Sequence, residues 1–332
     1  YDDLPQEVRE KIKYCMLDAA GVGLAAVSDE VGQTFRSILP EVGGPGPCTV
    51  FGSPDIWNPL TAGLVNGSLG HALDYDDTYQ PVPVHTSGSL FPASLAMAER
   101  QKSSGEELIL AMALGTEVAI RIGLALGRSH VDKGWHGTGT FNTFGAATAS
   151  GILLHFSAEQ MVRCFGTAAV QATGLLKAAA GTKCKPLHAG KAAMNGILSG
   201  LLASTPGWTA PEKALEMPNG FAALFSEKPQ LEVGLKGLSE KYHLMDISFK
   251  ISASCSQTQA TIDGVEELKL RHHIDPGAVR EIILTVNPIA GTVAGIPEPK
   301  DGYQGKFSLA YCAALTLHGH DRFKDAFSEA ML

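Results

Sequence analysis

The chain has 332 residues, enough for two domains or for one large core with an appendage. Apolar residues make up 45% and charged residues 18%, a globular balance that excludes a disordered chain. The net charge of −8 argues against a nucleic-acid binder, because no basic surplus exists to neutralise phosphates.

Residues 5–26, PQEVREKIKYCMLDAAGVGLAA, place Pro5 at a first turn and repeat their apolar residues near a period of 3.6, which predicts a helix. PEVGGPGPC, 40–48, reads as a loop. From about 58 to 205 the chain is a succession of Ala- and Gly-rich helical segments, whose small side chains let helix backbones approach closely. The most membrane-like run, LILAMALGTEVAIRIGLALG, carries Glu117 and Arg121, so it is expected as a buried helix and no membrane partner is expected. After about 226 the chain becomes more polar. SQTQATIDGVEELKLRHH reads as a helix with Ser256 as N-cap and Ile262, Val265 and Leu268 or Lys269 following at turn spacing. EIILTVNP, 281–288, alternates Ile282, Leu284 and Val286 on one face and reads as a strand. The expected fold is therefore mainly α: a large all-helical domain over 1–230 and a smaller α+β domain over 231–332. One strand and two helices leave that second domain incomplete.

The six cysteines are scattered with no CxxC pair, which suits a reducing cytoplasm or an organelle matrix. That spacing also weakens an iron–sulfur or structural zinc site, and no metal site is expected.

Three stretches carry the chemistry. The first, HALDYDDTYQPVPVHTSGSL at 71–90, contains DYDDT, which matches the DxDxT pattern of aspartate-nucleophile phosphatases. That chemistry needs its first Asp at the end of a buried strand, and the preceding GLVNGSLGHAL looks like a helix end. If the helix continues, His71, Asp74 and Thr78 share one face, and Asp76 and Asp77 point to solvent or cap the next segment; for either of those two alone, a satisfied, partly buried cap is the favoured reading. Pro81 and Pro83 stiffen the loop presenting His85, which makes Asp74 with His85 the better functional pair. The second, GWHGTGTFNTFG at 134–145, lacks the third Gly of a dinucleotide fingerprint. It sets His136 on a glycine turn before a helix, where backbone N–H groups favour an anion. The third, GTKCKPLHAGKAAMNG at 181–196, gathers Lys183, Lys185, His188 and Lys191 into a candidate carboxylate-binding wall, against the alternative of a solvated charged turn. Cys184 lies between two lysines without a partner pattern that would mark a nucleophile, and no GxSxG elbow is present.

With these stretches assembled, the chain resembles the MmgE/PrpD family of 2-methylcitrate dehydratases, cis-aconitate decarboxylases and iminodisuccinate epimerases. The matching features run in order through YDDLPQEVREKIKYCMLDAAGVGLAA, NGSLGHALDYDDTY, HTSGSLFPASLAMAE, GWHGTGTFNTFGAATASGILL, GTKCKPLHAGKAAMNGILSGLLA and KFSLAYCAAL. The resemblance implies a helical domain with a smaller α+β domain, a homodimer, and a site without cofactor for a small anionic carboxylate. Carried over by position, that site uses Asp74, Thr78, His85, His136, Lys185 and Tyr311. His188, Cys255 and Gln259 join it as candidate substrate-binding residues. Two departures stand out. Family members continue past FSEAML, and many have a Cys followed four residues later by His where this chain has Cys255 and Gln259.

The expected chemistry is proton abstraction next to a carboxylate by a lyase acting on a di- or tricarboxylic acid. The reaction is dehydration of a 2-methylcitrate-like substrate or decarboxylation of a cis-aconitate-like one. Histidine titrates near neutrality, so His85 and His136 are the expected proton-transfer pair, with Asp74 orienting one of them and Tyr311 donating a hydroxyl. The alternatives are an epimerase of an iminodisuccinate-like dicarboxylate and an inert binding or assembly subunit.

Overall fold

A computed structural model of the chain describes every residue except Asp321, Glu329, Ala330 and Leu332. The chain divides into two compact units. The larger comprises Tyr1–Ala72, Asp76–Ala178 and Pro186–Phe249, and the smaller comprises Leu73–Tyr75, Ala179–Lys185 and Lys250–Leu332. The mainly α expectation holds.

The larger unit is a helical bundle. Its principal helices are α1 (Gln6–Ala25), α2 (Pro59–Ala72), α3 (Ser87–Gln101), α4 (Gly105–Leu126), α5 (Gly137–Leu153), α6 (Ala158–Ala169) and α7 (Leu187–Ala203). α2 and α5 are buried along nearly their whole length, so they form its centre. Close approach there depends on absent side chains. A Cβ on Gly190 would stand 2.2 Å from the Leu64 carbonyl oxygen, and one on Gly67 would stand 2.8 Å from Gly190 Cα. Any larger residue at either position would force α2 and α7 apart.

α4 is long and apolar enough to cross a membrane by length and composition. Inside the bundle it carries a buried ion pair: Arg121 Nε donates to Glu117 Oε1 at 2.8 Å. The guanidinium also donates to the carbonyls of Gly234, Lys236, Gly237 and Lys241, while Glu117 Oε2 accepts from Leu244 N. One helix charge pair thus ties the 234–244 segment to the larger unit. Helix α4 begins in a capping box between Ser104 and Glu107.

Part of the predicted 40–48 loop is instead a short antiparallel pair, β1 (Pro45–Thr49) with β2 (Ile56–Trp57). Prolines are tolerated there because an edge strand does not need every N–H.

The smaller unit holds α8 (Gln259–His272) and α9 (Leu309–Leu317) around Ala253, Ile262, Cys312, Leu315, Ala326 and Phe327. The helix read after Ser256 is present, but it starts at Gln259 behind Thr258, and Ser256 is not its cap. The 281–288 strand is not formed. Residues 281–287 carry no regular structure, Pro288 opens a short helix, and among the described residues no strand pairs with them. Alternation makes one face of an extended chain apolar; a neighbouring chain is what makes it a strand. Ile282 and Val286 are exposed as a result.

Candidate active site

Helix α2 stops at Ala72, so the continuous helical face proposed for His71, Asp74 and Thr78 does not exist. Asp74 instead adopts φ +51°, a left-handed conformation that Asp tolerates better than most residues. The break sends the next residues inward. Asp76 and Asp77 are completely buried, which rules out the solvent-facing alternative and goes beyond the partly buried capping role favoured for them.

In the larger unit this inward loop builds a histidine cluster. Asp76 Oδ2 lies 2.7 Å from His71 Nδ1, with both side chains fully buried. Asp77 caps α3: its Oδ1 accepts from Ser87 N at 3.0 Å, and its Oδ2 accepts from the Ser87 hydroxyl. The capping alternative held open for these aspartates is thus correct for Asp77. Between Asp77 and α3, Tyr79 and Val84 pair across the Pro81–Pro83 turn and deliver His85. Thr78 is fixed by reciprocal backbone bonds with Ser248 at 2.9 Å.

His85 has a defined tautomer. Its Nδ1 lies 2.9 Å from the Asp77 carbonyl, which can only accept, so Nδ1 carries the proton. Thr78 Oγ1 stands 3.0 Å from the same nitrogen. The backbone is held as well: His85 O accepts from Asn142 Nδ2 at 2.7 Å, and His85 N donates to Thr138 Oγ1 at 3.2 Å. With Nδ1 donating, Nε2 is the acceptor nitrogen of the neutral ring.

His136 stands immediately before α5, and its N–H donates to Gly174 O at 2.9 Å. Its Nδ1 meets His188 Nδ1, on α7, at 2.8 Å. One of those nitrogens must donate and the other accept, so the two cannot both be protonated. The ring centroids of His85 and His136 are 6.5 Å apart. The structure thus brings His85, His136, His188 and Thr78 into one unit, together with His71 and Asp76, which the sequence reading left out of the site.

Asp77 is the group whose titration is legible. Burial pushes its carboxyl up to about 6, against the Ser87 hydrogen bonds that favour the carboxylate. Because the folded value is raised, the native state binds more protons than the unfolded chain between about pH 4 and 6. The associated stability is present below that window and is lost as pH rises through about 6. We expect Asp77→Asn to remove this dependence. The stability difference between wild type and variant, followed by urea unfolding, should change by on the order of 3 kcal/mol between pH 4 and 7. A difference that stays constant across that range would refute the assignment.

The smaller unit holds the other candidates. Asp74 Oδ2 accepts from Lys185 Nζ at 2.8 Å, and Lys250 Nζ reaches both Asp74 Oδ1 at 2.5 Å and Asp74 O at 2.7 Å. Lys306 Nζ donates to Leu73 O and Ala253 O at 2.9 Å each. Buried lysines therefore grip Leu73 and Asp74 from two directions and hold the left-handed turn. Lys250 and Lys306 have no local sequence signal, since Lys250 meets a residue 176 positions away. Tyr311 donates its hydroxyl to Ala326 O at 3.1 Å. Gln259 spends its amide on its own loop, accepting from the N–H groups of Ile251 and Ser252 and donating to the carbonyls of Ser252 and Ser254. Burial raises the Cys255 thiol to about 11, which keeps it protonated at neutral pH. Lys183 and Cys184 are exposed, so the predicted cationic wall is not a single surface. Among the described residues, no three His, Cys, Asp or Glu side chains are arranged to hold a metal ion.

Comparison with known proteins adds an independent line. The MmgE/PrpD N-terminal domain matches residues 1–234, and the MmgE/PrpD C-terminal domain matches residues 252–332. The chain is 31% identical to the cis-aconitate decarboxylase of Aspergillus terreus (strain NIH 2624 / FGSC A1156), over 99% of this chain and 71% of that protein. It is 28% identical to the cis-aconitate decarboxylase of Homo sapiens, over 95% of this chain and 67% of that protein. Matched across both domains, the chain belongs to the MmgE/PrpD family and is a lyase of that type.

Proposed function

We propose that the chain is a carboxy-lyase that removes CO₂ from an unsaturated tricarboxylate of the cis-aconitate kind. The observation that supports this reading is the 2.9 Å contact of His85 Nδ1 with the Asp77 carbonyl, a tautomer in which Nε2 would be the nitrogen exchanging a proton. The names of the relatives supply the substrate class. In such a decarboxylation the bond between carbon and the departing carboxylate breaks, and its electron pair passes into the neighbouring unsaturated system. The reaction then needs one proton delivered to carbon, and a histidine protonated at Nε2 supplies it. His85 and His136 remain the proposed transfer pair, and Asp74, Lys185 and Tyr311 remain proposed contributors to turnover.

The test is proton NMR of the purified protein with cis-aconitate in D₂O, with CO₂ release followed in parallel. Vinyl signals of a new unsaturated dicarboxylate, deuterated at one carbon and matched by CO₂, are the expected result. Water addition or elimination without CO₂ release would make the protein a dehydratase. Deuterium exchange at a stereocentre of a dicarboxylate, with its C–H bond exchanged and no carbon–carbon or carbon–oxygen bond broken, would make it an epimerase. No turnover of any such acid would sink the lyase mechanism.

A further inference from the structure

His71 and Asp76 take no part in the proton transfer just described, yet both side chains are fully buried and 2.7 Å apart. Removing an imidazole and a carboxylate from water carries a penalty that their contact only partly offsets. An apolar pair would fill the same volume without it. Backbone room is also given up for them. A Cβ on Gly88 would stand 2.9 Å from Asp76 Oδ2, and one on Gly70 would stand 2.7 Å from Gly88 O.

The position of His71 supplies a reason. Its ring centroid is 5.0 Å from that of His85 and 5.6 Å from that of His136, closer to each than they are to one another at 6.5 Å. At about 5 Å and an effective dielectric near 20, a charge on one ring disfavours a charge on the next by on the order of a hundredfold. Rings so placed form a mutually interacting set. Other ionisable groups around that set include Asp76, whose Oδ1 is 4.0 Å from His85 Nδ1, Asp77 with its neighbour Cys15 on α1, and His188 on α7.

We propose that His71, oriented by Asp76, is a positioning residue that couples the protonation of His85 to that of His136. When one of the two holds the extra proton, the other stays neutral and serves as the base. The use of this coupling rests on the acid–base reading of the same site, but the coupling itself is a property of the protein without substrate.

The experiment is a pH titration of the ¹⁵N-histidine-labelled protein without substrate, following each imidazole by long-range ¹H–¹⁵N correlation. In the wild type, His85 and His136 are expected to respond to each other's steps and to give curves broader than a single protonation. Independent single-step curves would overturn the proposal without any variant. His71→Gln removes the competing ring, so the His85 midpoint should rise by about one pH unit or more. Asp76→Asn keeps the volume and an acceptor oxygen but removes the negative charge, so the midpoint should fall. In both variants the matching limb of the pH–rate profile should move with the NMR midpoint. Unchanged midpoints in folded variants would overturn the coupling. Intact coupling with no turnover of any carboxylic acid would instead remove the lyase reading and leave the coupling standing.

Discussion

Asp74→Ala should destabilise the protein by about 3–5 kcal/mol, the range measured when one member of a buried ionic cluster is removed. The Lys185 and Lys250 side chains that share this carboxylate are each only 3% exposed. Truncation leaves two buried ammonium groups facing the site of a lost anion. Lys250→Met is the informative contrast. It removes the donor to Asp74 Oδ1 and Asp74 O, but leaves the Asp74–Lys185 pair balanced and fills the volume with an apolar chain. Its cost should therefore be nearer to that of lost hydrogen bonds, about 1–3 kcal/mol. Denaturant unfolding of the two variants beside wild type decides the matter. Equal losses, or a loss below about 1 kcal/mol for Asp74→Ala, would mean that the carboxylate does not organise this cluster.

The same residues show what a sequence does and does not expose. The bundle was legible because Ala- and Gly-rich segments at helical period have few alternatives, and the contacts of Gly67 and Gly190 bear that out. His85 and His136 could be picked out as candidates because each sits beside a local device, a proline turn or a glycine turn, that a backbone uses to present a side chain. Asp76 was read as at most a partly buried cap because an Asp shows no partner for full burial in the local sequence. Its partner is His71, five residues back across a helix end that the sequence does not mark clearly. Lys250 and Lys306 could not be found at all, because what they bind is 176 and 233 positions away. The strand read at 281–288 failed for the opposite reason. Its local pattern is sound, but pairing is a property of two segments. His71 was noted in the sequence only as sharing a face with Asp74 and Thr78, and its burial on α2 beside Asp76 is what joins it to the candidate histidine cluster.

His136→Asn should lower kcat on the productive acid by about 10²–10⁴, the usual worth of a positioned general acid or base, with a much smaller change in KM. The variant removes the ring whose Nδ1 lies 2.8 Å from His188 Nδ1. It therefore also deprives His188 of that contact, and His188→Gln is needed to separate the two roles. In His188→Gln the ring of His136 and its anchor to Gly174 O are retained, and the glutamine amide can still offer a donor or an acceptor. If His136 transfers the proton and His188 only orients it, His188→Gln should lose far less than His136→Asn and should keep the shape of the pH–rate profile. Steady-state kinetics on both variants, with unfolding curves to show that each is folded, read this directly. A larger loss in His188→Gln would exchange the two roles and place the reacting imidazole on α7. Wild-type turnover in His136→Asn would take His136 off the proton path altogether and leave His85 to act without a histidine partner.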